Sequence, residues 1–271
     1  MLSFSGGMEA LVWGRSLSLV LSEATGLLRA AVIDVCLSHG VDHARAVLQH
    51  TKRALEEHPV RLGDEKLALI QLAALLHDAD DHKFFPAPPI GQPSNASTIL
   101  QKCSGGQITP EQETAITEMI DWVSCSKHHN DIPQKAIQSP ELLFPRWSDR
   151  LEALGEIGAI RCLQFAASSG NLLFVPTTPR PRTEEELETL IDPERFRAYQ
   201  GGSASMMDHY YDKLLHLGHF QSGNSYLDAQ ARSRGQILRD ICLHFGREEQ
   251  LHPLLVSFAK ENQLFTEQLD C

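Results

Sequence analysis

With 271 residues the chain is long enough for one large domain or two small ones around a sizeable core. Apolar residues make up 42% and charged residues 22%, and the net charge of −11 shows no basic stripe of the kind duplex binding needs. That excludes a nucleic-acid polymer as partner but not a small phosphate ester, because a metal and a few cations can reverse the field locally.

Aromatic content is low and alanine and leucine recur, which favours helices over a sandwich or barrel. Residues Leu11–Leu21 form a mildly apolar stretch broken by Arg15 and serines and followed by Glu23. It lacks the basic start and small-residue cleavage site of a signal peptide, and reads as a packed helix or a loosely attached tail. Leu27, Leu28, Ala31, Val32, Val35 and Cys36 recur at helical steps. A second helix is expected from about Asp42 to His58, where Pro59 stops it.

Asp64 stands in an N-cap position ahead of a helix that is apolar nearly all round through Leu76, so this helix should be central and buried. The proline-rich segment from Phe85 to Pro93 is expected to be an irregular loop at the mouth of a site. Pro110 and Glu111 start another helix, and a short one near Ser139-Pro140 leads to Asp149. Helical spacing then continues from Leu151 to Phe165. Leu173–Thr183 carries three prolines and should be a second loop. Further helices are expected over Glu184–Tyr199, Ser203–Leu217 and Tyr226–Phe245, with a tail near Pro253–Leu269.

Six scattered cysteines without a C-x-x-C pair read as reduced and intracellular, so a cytoplasmic protein is expected, with organelle targeting by the N-terminal segment left open. No run of about 18 apolar residues marks a membrane span. The simplest division is an N-terminal extension (1–26), one domain (27–247) and a C-terminal tail packed on or near it (248–271).

The chemistry concentrates at Leu75-Leu76-His77-Asp78-Ala79-Asp80-Asp81-His82-Lys83-Phe84. Adjacent His and Asp at the end of an apolar helix is a costly choice for a core unless the carboxylate is paired or bound to metal. Imidazole and carboxylate together suit Mn²⁺, Fe²⁺, Co²⁺ or Mg²⁺. Taken alone, His43 fits a helix-terminal or solvent-facing histidine, and Asp149 fits the N-cap of the helix after it.

His43, then His77-Asp78, then Asp149 within Asp149-Arg150-Leu151-Glu152-Ala153-Leu154-Gly155 resembles the HD-domain phosphohydrolase superfamily. Three features resemble, more narrowly, its bacterial and fungal branch with proposed nucleotide pyrophosphohydrolase activity. They are the D-x-K-F run at Asp81–Phe84, the DRLEALGEIGAIR run from Asp149, and the segment Asp208–Leu215, followed by an Ala-x-x-Arg stretch at Ala231. Ala46 stands where that family often has arginine, with Arg45 one position earlier.

The resemblance spans about residues 29–247 and implies an all-α HD-domain helical bundle with additional C-terminal helices. It implies one divalent metal on His43, His77, Asp78 and Asp149, with Mn²⁺ first and Co²⁺, Mg²⁺, Fe²⁺ or Ni²⁺ as alternatives. Asp81, ahead of Asp80, is the residue to orient or deprotonate the attacking water; Lys83 is a point-charge contact to phosphate, with Arg150 and Lys127 as further ones. The plain alternatives are a solvated turn for Asp80-Asp81 and a surface lysine for Lys83.

His128-His129 would serve a second metal only with histidines at another place that this chain lacks, and reads better as a polar helix end. His39, His50 and His58 look like surface positions. The implied function is hydrolysis of a small nucleotide with release of pyrophosphate, without a membrane partner and with room for a homodimer. The alternatives are a nucleotidase, a cyclic-nucleotide phosphodiesterase, or a non-catalytic nucleotide-binding protein on the same scaffold. A di-iron oxygenase is disfavoured by the thin histidine set.

Overall fold

The computed structural model describes residues 9–32, 40–82, 85–89 and 91–265. Val35, Cys36, His39, Lys83 and Phe84 lie outside the described residues. The fold is all-α, with a single two-stranded ribbon among the described residues. None of their helices is long and apolar enough to cross a membrane. The backbone forms two compact units: Met1–Val123 with Gln138–Arg146, and Ser124–Ile137 with Trp147–Cys271.

The first unit opens with antiparallel strands β1 (Leu11–Val12) and β2 (Arg15–Ser16), joined through Trp13 (φ +51°) and Gly14 (φ +67°). Two successive positive φ values match the twist of a tight hairpin. Helix α1 (Leu17–Ala31) follows and buries Leu17, Val20, Leu21, Ala24 and Leu28. Helices α2 (Val41–Glu56) and α3 (Asp64–Leu76) pack tightly on one another, and α3 also packs on α1 and on α5 (Pro110–Val123).

Helix α3 is the core of this unit. Ala68 and every residue from Ile70 to Leu76 are buried, as its all-round apolar sequence requires. The expected N-cap does not form. Asp64 is already helical, Gly63 takes the cap position, and the Asp64 carboxylate accepts the Leu11 N–H at 3.0 Å. The aspartate thus ties the hairpin to α3 instead of satisfying α3's own amides. Helix α4 (Asn95–Cys103), absent from the sequence reading, starts at a Ser94 cap that accepts the Ser97 N–H and packs on α1. A 3₁₀ turn at Pro140–Leu143 completes the unit, with the buried Glu141 held by Lys66.

The second unit contains α6 (Cys125–His128) and α7 (Gln134–Ile137). Helix α8 (Phe144–Glu152) begins in the first unit and ends in the second. The continuous helical spacing read after Asp149 is interrupted here. Gly155 turns the chain at φ +70° and starts α9 (Gly155–Ser169). A Cβ on Gly158 would lie 2.2 Å from the Ala153 carbonyl oxygen, so only glycine allows this close turn.

Asp192-Pro193 splits the expected Glu184–Tyr199 helix into α10 (Glu184–Leu190) and α11 (Pro193–Ala198). Helix α12 (Met206–His209) widens into a π-type turn at Tyr210–Leu214 and ends in α13 (Leu215–Leu217). The long α14 (Ser225–Glu248) packs on α9 and α10, and α15 (Pro253–Glu261) packs on α9.

Candidate metal centre

His77 follows the last residue of α3 with its side chain sealed from solvent. Its Nδ1–H donates to the Ala74 carbonyl at 2.9 Å. A carbonyl can only accept, so this bond selects the tautomer that leaves Nε2 as a bare ligand nitrogen. His43, in the first turn of α2, is buried as well, which corrects the solvent-facing alternative. Its Nε2 lies 3.2 Å from that of His77, with the rings edge-on at a centroid distance of 5.1 Å.

Asp78 follows directly, and its Oδ2 is 3.4 Å from His77 Nε2 and 3.6 Å from His43 Nε2. Donors sharing one divalent ion at about 2.1 Å, with angles between 90° and tetrahedral, are spaced by about 3.0–3.4 Å. The His43–His77 and His77–Asp78 separations fall in this range, and the 3.6 Å between His43 and Asp78 lies just beyond it. Two imidazole nitrogens and a carboxylate oxygen are thus placed where they could hold a divalent ion.

The turn after His77-Asp78 is fastened by backbone and side-chain bonds. The Ala79 N–H reaches the Leu76 carbonyl at 3.0 Å, and the Asp81 N–H reaches the Asp78 carbonyl at 3.2 Å. Asp81 is partly buried, with Oδ1 3.5 Å from His82 Nδ1. The Asp80 carboxylate accepts the amides of Asn95 (2.7 Å) and Ala96 (3.0 Å) at the start of α4. Asp80 is therefore a helix-terminal acceptor rather than a merely solvated turn residue. The sequence reading missed Asn95, whose Nδ2 donates to the Ala79 carbonyl at 2.9 Å. The one signal available was the Ser94-Asn95 pair ahead of Ile99, Leu100 and Cys103 at helical spacing.

Asp149 lies inside α8 and is half-buried, so it does not serve as the N-cap of the following helix. Arg150 beside it is 1% exposed; one guanidinium nitrogen donates to the His129 carbonyl and the group sits 5.5 Å over the Trp147 ring. Burial pushes the Arg150 pKa down from its ordinary value, against the opposing influence of Cys125 and Asp149.

Lys127 is exposed on α6. His129, at φ +48°, places its ring 5.2 Å from Phe196, which stacks on His216 at 4.9 Å. His50, read as a surface residue, is buried on the inner face of α2. His58 is also largely covered; its ring lies 5.9 Å from Phe144 and its Nε2 3.8 Å from Glu141.

No family model matches the chain. It is 35% identical over 222 residues to the uncharacterized protein L803 of Acanthamoeba polyphaga mimivirus, covering 78% of this chain and 89% of that one. A solved structure from Lactobacillus plantarum is similar at a TM-score of 0.57 and 26% identity, covering 86% of this chain and 96% of its own. One from Listeria innocua matches at a TM-score of 0.56 and 18% identity, over 87% and 98%. An HD-superfamily hydrolase from Bacillus thuringiensis matches at 0.54 and 20% identity, over 86% and 98%. The chain belongs to the family of the mimivirus protein and has the helical fold of the HD superfamily.

Proposed function

We propose that this chain is a metal-dependent phosphohydrolase that cleaves nucleoside triphosphates between the α- and β-phosphates. The observation that carries the reading is the His43–His77 pair, with Nε2 atoms 3.2 Å apart and the Asp78 carboxylate beside both. Asp149 is the proposed fourth ligand, as the sequence resemblance implies. The HD-superfamily hydrolase with the same fold supports the reaction class. Nucleotide as substrate and pyrophosphate as product rest on the sequence resemblance at Asp81–Phe84, Asp149–Arg161 and Asp208–Leu215.

A divalent ion in such a centre acidifies water and offsets charge growing on phosphate. The protein's own groups divide the remaining work. His77 keeps its bare nitrogen turned inward because Ala74 holds the opposite N–H. Asp81 takes the proton of the attacking water as its oxygen bonds to the α-phosphorus and the bridging oxygen leaves with pyrophosphate. Lys83 and Lys127 supply point charges to the polyphosphate. Arg150 is a further proposed contact to phosphate, with one guanidinium nitrogen donating to the His129 carbonyl.

Metal-stripped protein incubated with ribo- and deoxyribonucleoside triphosphates and monophosphates, with Mn²⁺, Co²⁺, Mg²⁺ or Ni²⁺ added back, tests this reading. Pyrophosphate and phosphate are assayed separately. The expected product is pyrophosphate, only with metal. Phosphate alone would replace this reading with a nucleotidase, and intact substrates with every metal would overturn catalysis altogether.

A further inference from the structure

We infer that Asp80 and Asn95 are positioning residues that hold the His77-Asp78 turn in register for metal uptake; this rests on the metal-centre reading above. Three hydrogen bonds converge on two consecutive residues of that turn. The Asp80 carboxylate accepts both the Asn95 and Ala96 amides, one through each oxygen, at 2.7 and 3.0 Å. The Asn95 side-chain amide donates back to the Ala79 carbonyl at 2.9 Å. The exchange is reciprocal: each segment gives the other both a side-chain and a backbone partner.

Its position sets its consequence. Ala79 and Asp80 lie between Asp78 on one side and Asp81 on the other, so the brace fixes the only backbone linking the two carboxylates. Helix α4 is a firm anchor. Ser94 caps it independently, Ile99, Leu100 and Cys103 are buried, and it packs on α1 and α5. With Leu76 accepting the Ala79 N–H, the turn is held from the α3 side and the α4 side together. Groups that orient ligating residues without touching the ion typically cost 10- to 100-fold in metal affinity or activity when removed.

The test measures metal uptake directly. Co²⁺ is titrated into the metal-stripped full chain and into Asp80→Ala, Asp80→Asn and Asn95→Ala, following its visible absorption, with thermal unfolding of each metal-free protein recorded alongside. Asp80→Ala and Asn95→Ala are expected to weaken Co²⁺ binding by about tenfold or more. Asp80→Asn keeps one acceptor oxygen for an α4 amide and is expected to recover part of the loss. A lowered Tm with wild-type Co²⁺ affinity would overturn the inference by reducing the brace to a helix cap. Wild-type protein that takes up no Co²⁺ would instead overturn the metal centre itself, and the inference with it.

Discussion

At the end of α3 one carboxylate oxygen of Asp78 stands 3.4 Å from one imidazole nitrogen and 3.6 Å from another, with both rings buried. Removing it by Asp78→Ala should abolish metal uptake. Turnover should fall by about 1,000-fold, since a metal is worth several kcal/mol and each ~1.4 kcal/mol is tenfold. Steady-state kinetics at saturating Mn²⁺ check this, and a loss of less than about tenfold would remove Asp78 from the ligand set.

A second residue-scale prediction concerns acid. Burial, the largest influence, lowers the His216 pKa below its ordinary 6.5, and His216 Nε2–H donates to the Tyr211 carbonyl at 2.9 Å. Burial also lowers His252, helped by the neighbouring His244. The unfolded chain therefore binds protons more readily than the folded one. Their contribution to stability is complete above pH 6.5 and declines as pH falls below it toward the lowered folded values. Urea unfolding at pH 7.5 and 5.0 should show this loss, and His216→Gln should flatten it. An identical slope in that variant would assign the acid sensitivity elsewhere.

His77-Asp78 stood out because an HD pair at the end of an apolar helix is conspicuous in one dimension. His43, read alone as a helix-terminal or solvent-facing histidine, was set beside it only through the family resemblance. The Asp80–Asn95 brace, the burial of Arg150 and the burial of His50 were not legible. Each depends on which segment packs alongside, and local pattern carries no information about that.

At the scale of elements, α2 and α5 were legible because Pro59 and Pro110 mark their ends, α3 because of its continuous apolar run, and α14 from periodicity alone. What escaped had a physical reason in each case. The β1–β2 ribbon has strands of two residues, too short to show alternation. Helix α4 spans nine residues of mixed polarity. The α8–α9 break turns on Gly155 at positive φ, in a run whose apolar spacing reads straight through it.

Glycines at close approaches give a sharp test of this packing. A Cβ on Gly246 of α14 would fall 1.8 Å from the Pro181 backbone oxygen, and one on Gly158 2.2 Å from Ala153. Either substitution by alanine should destabilise by at least ~1–3 kcal/mol, the range for overpacking. By contrast Gly26→Ala meets nothing within 4 Å in the interior of α1 and should stabilise by up to ~1 kcal/mol. Chemical denaturation of the three variants orders them, and a neutral Gly246→Ala would contradict the packing of α14 on the second loop. Leu72→Ala, at a fully buried α3 position, belongs in the same series with an expected cost of ~2–5 kcal/mol.

For the whole molecule, a metal that binds the folded chain and not the unfolded one must raise its stability. At a hundred times its dissociation constant the gain is ~2.7 kcal/mol, or about 5–10 °C in Tm for a chain of this size. Chelation should reverse the shift, and Asp78→Ala should lack it. The net charge of −11 would repel the proposed triphosphate substrate, a repulsion that an ion in the proposed centre would offset locally. Fold class was readable from composition and periodicity alone, whereas the proposed reaction and substrate rest on specific side chains and their resemblance to a known family.

The most direct measurement is a crystal of the full chain soaked in Mn²⁺, with diffraction recorded at the manganese absorption edge. One anomalous peak is predicted within about 2.3 Å of His43 Nε2 and His77 Nε2, with carboxylate oxygens of Asp78 and Asp149 completing the set. A crystal without a peak there, or with manganese held only by other residues, would contradict the metal centre and the hydrolytic function built on it.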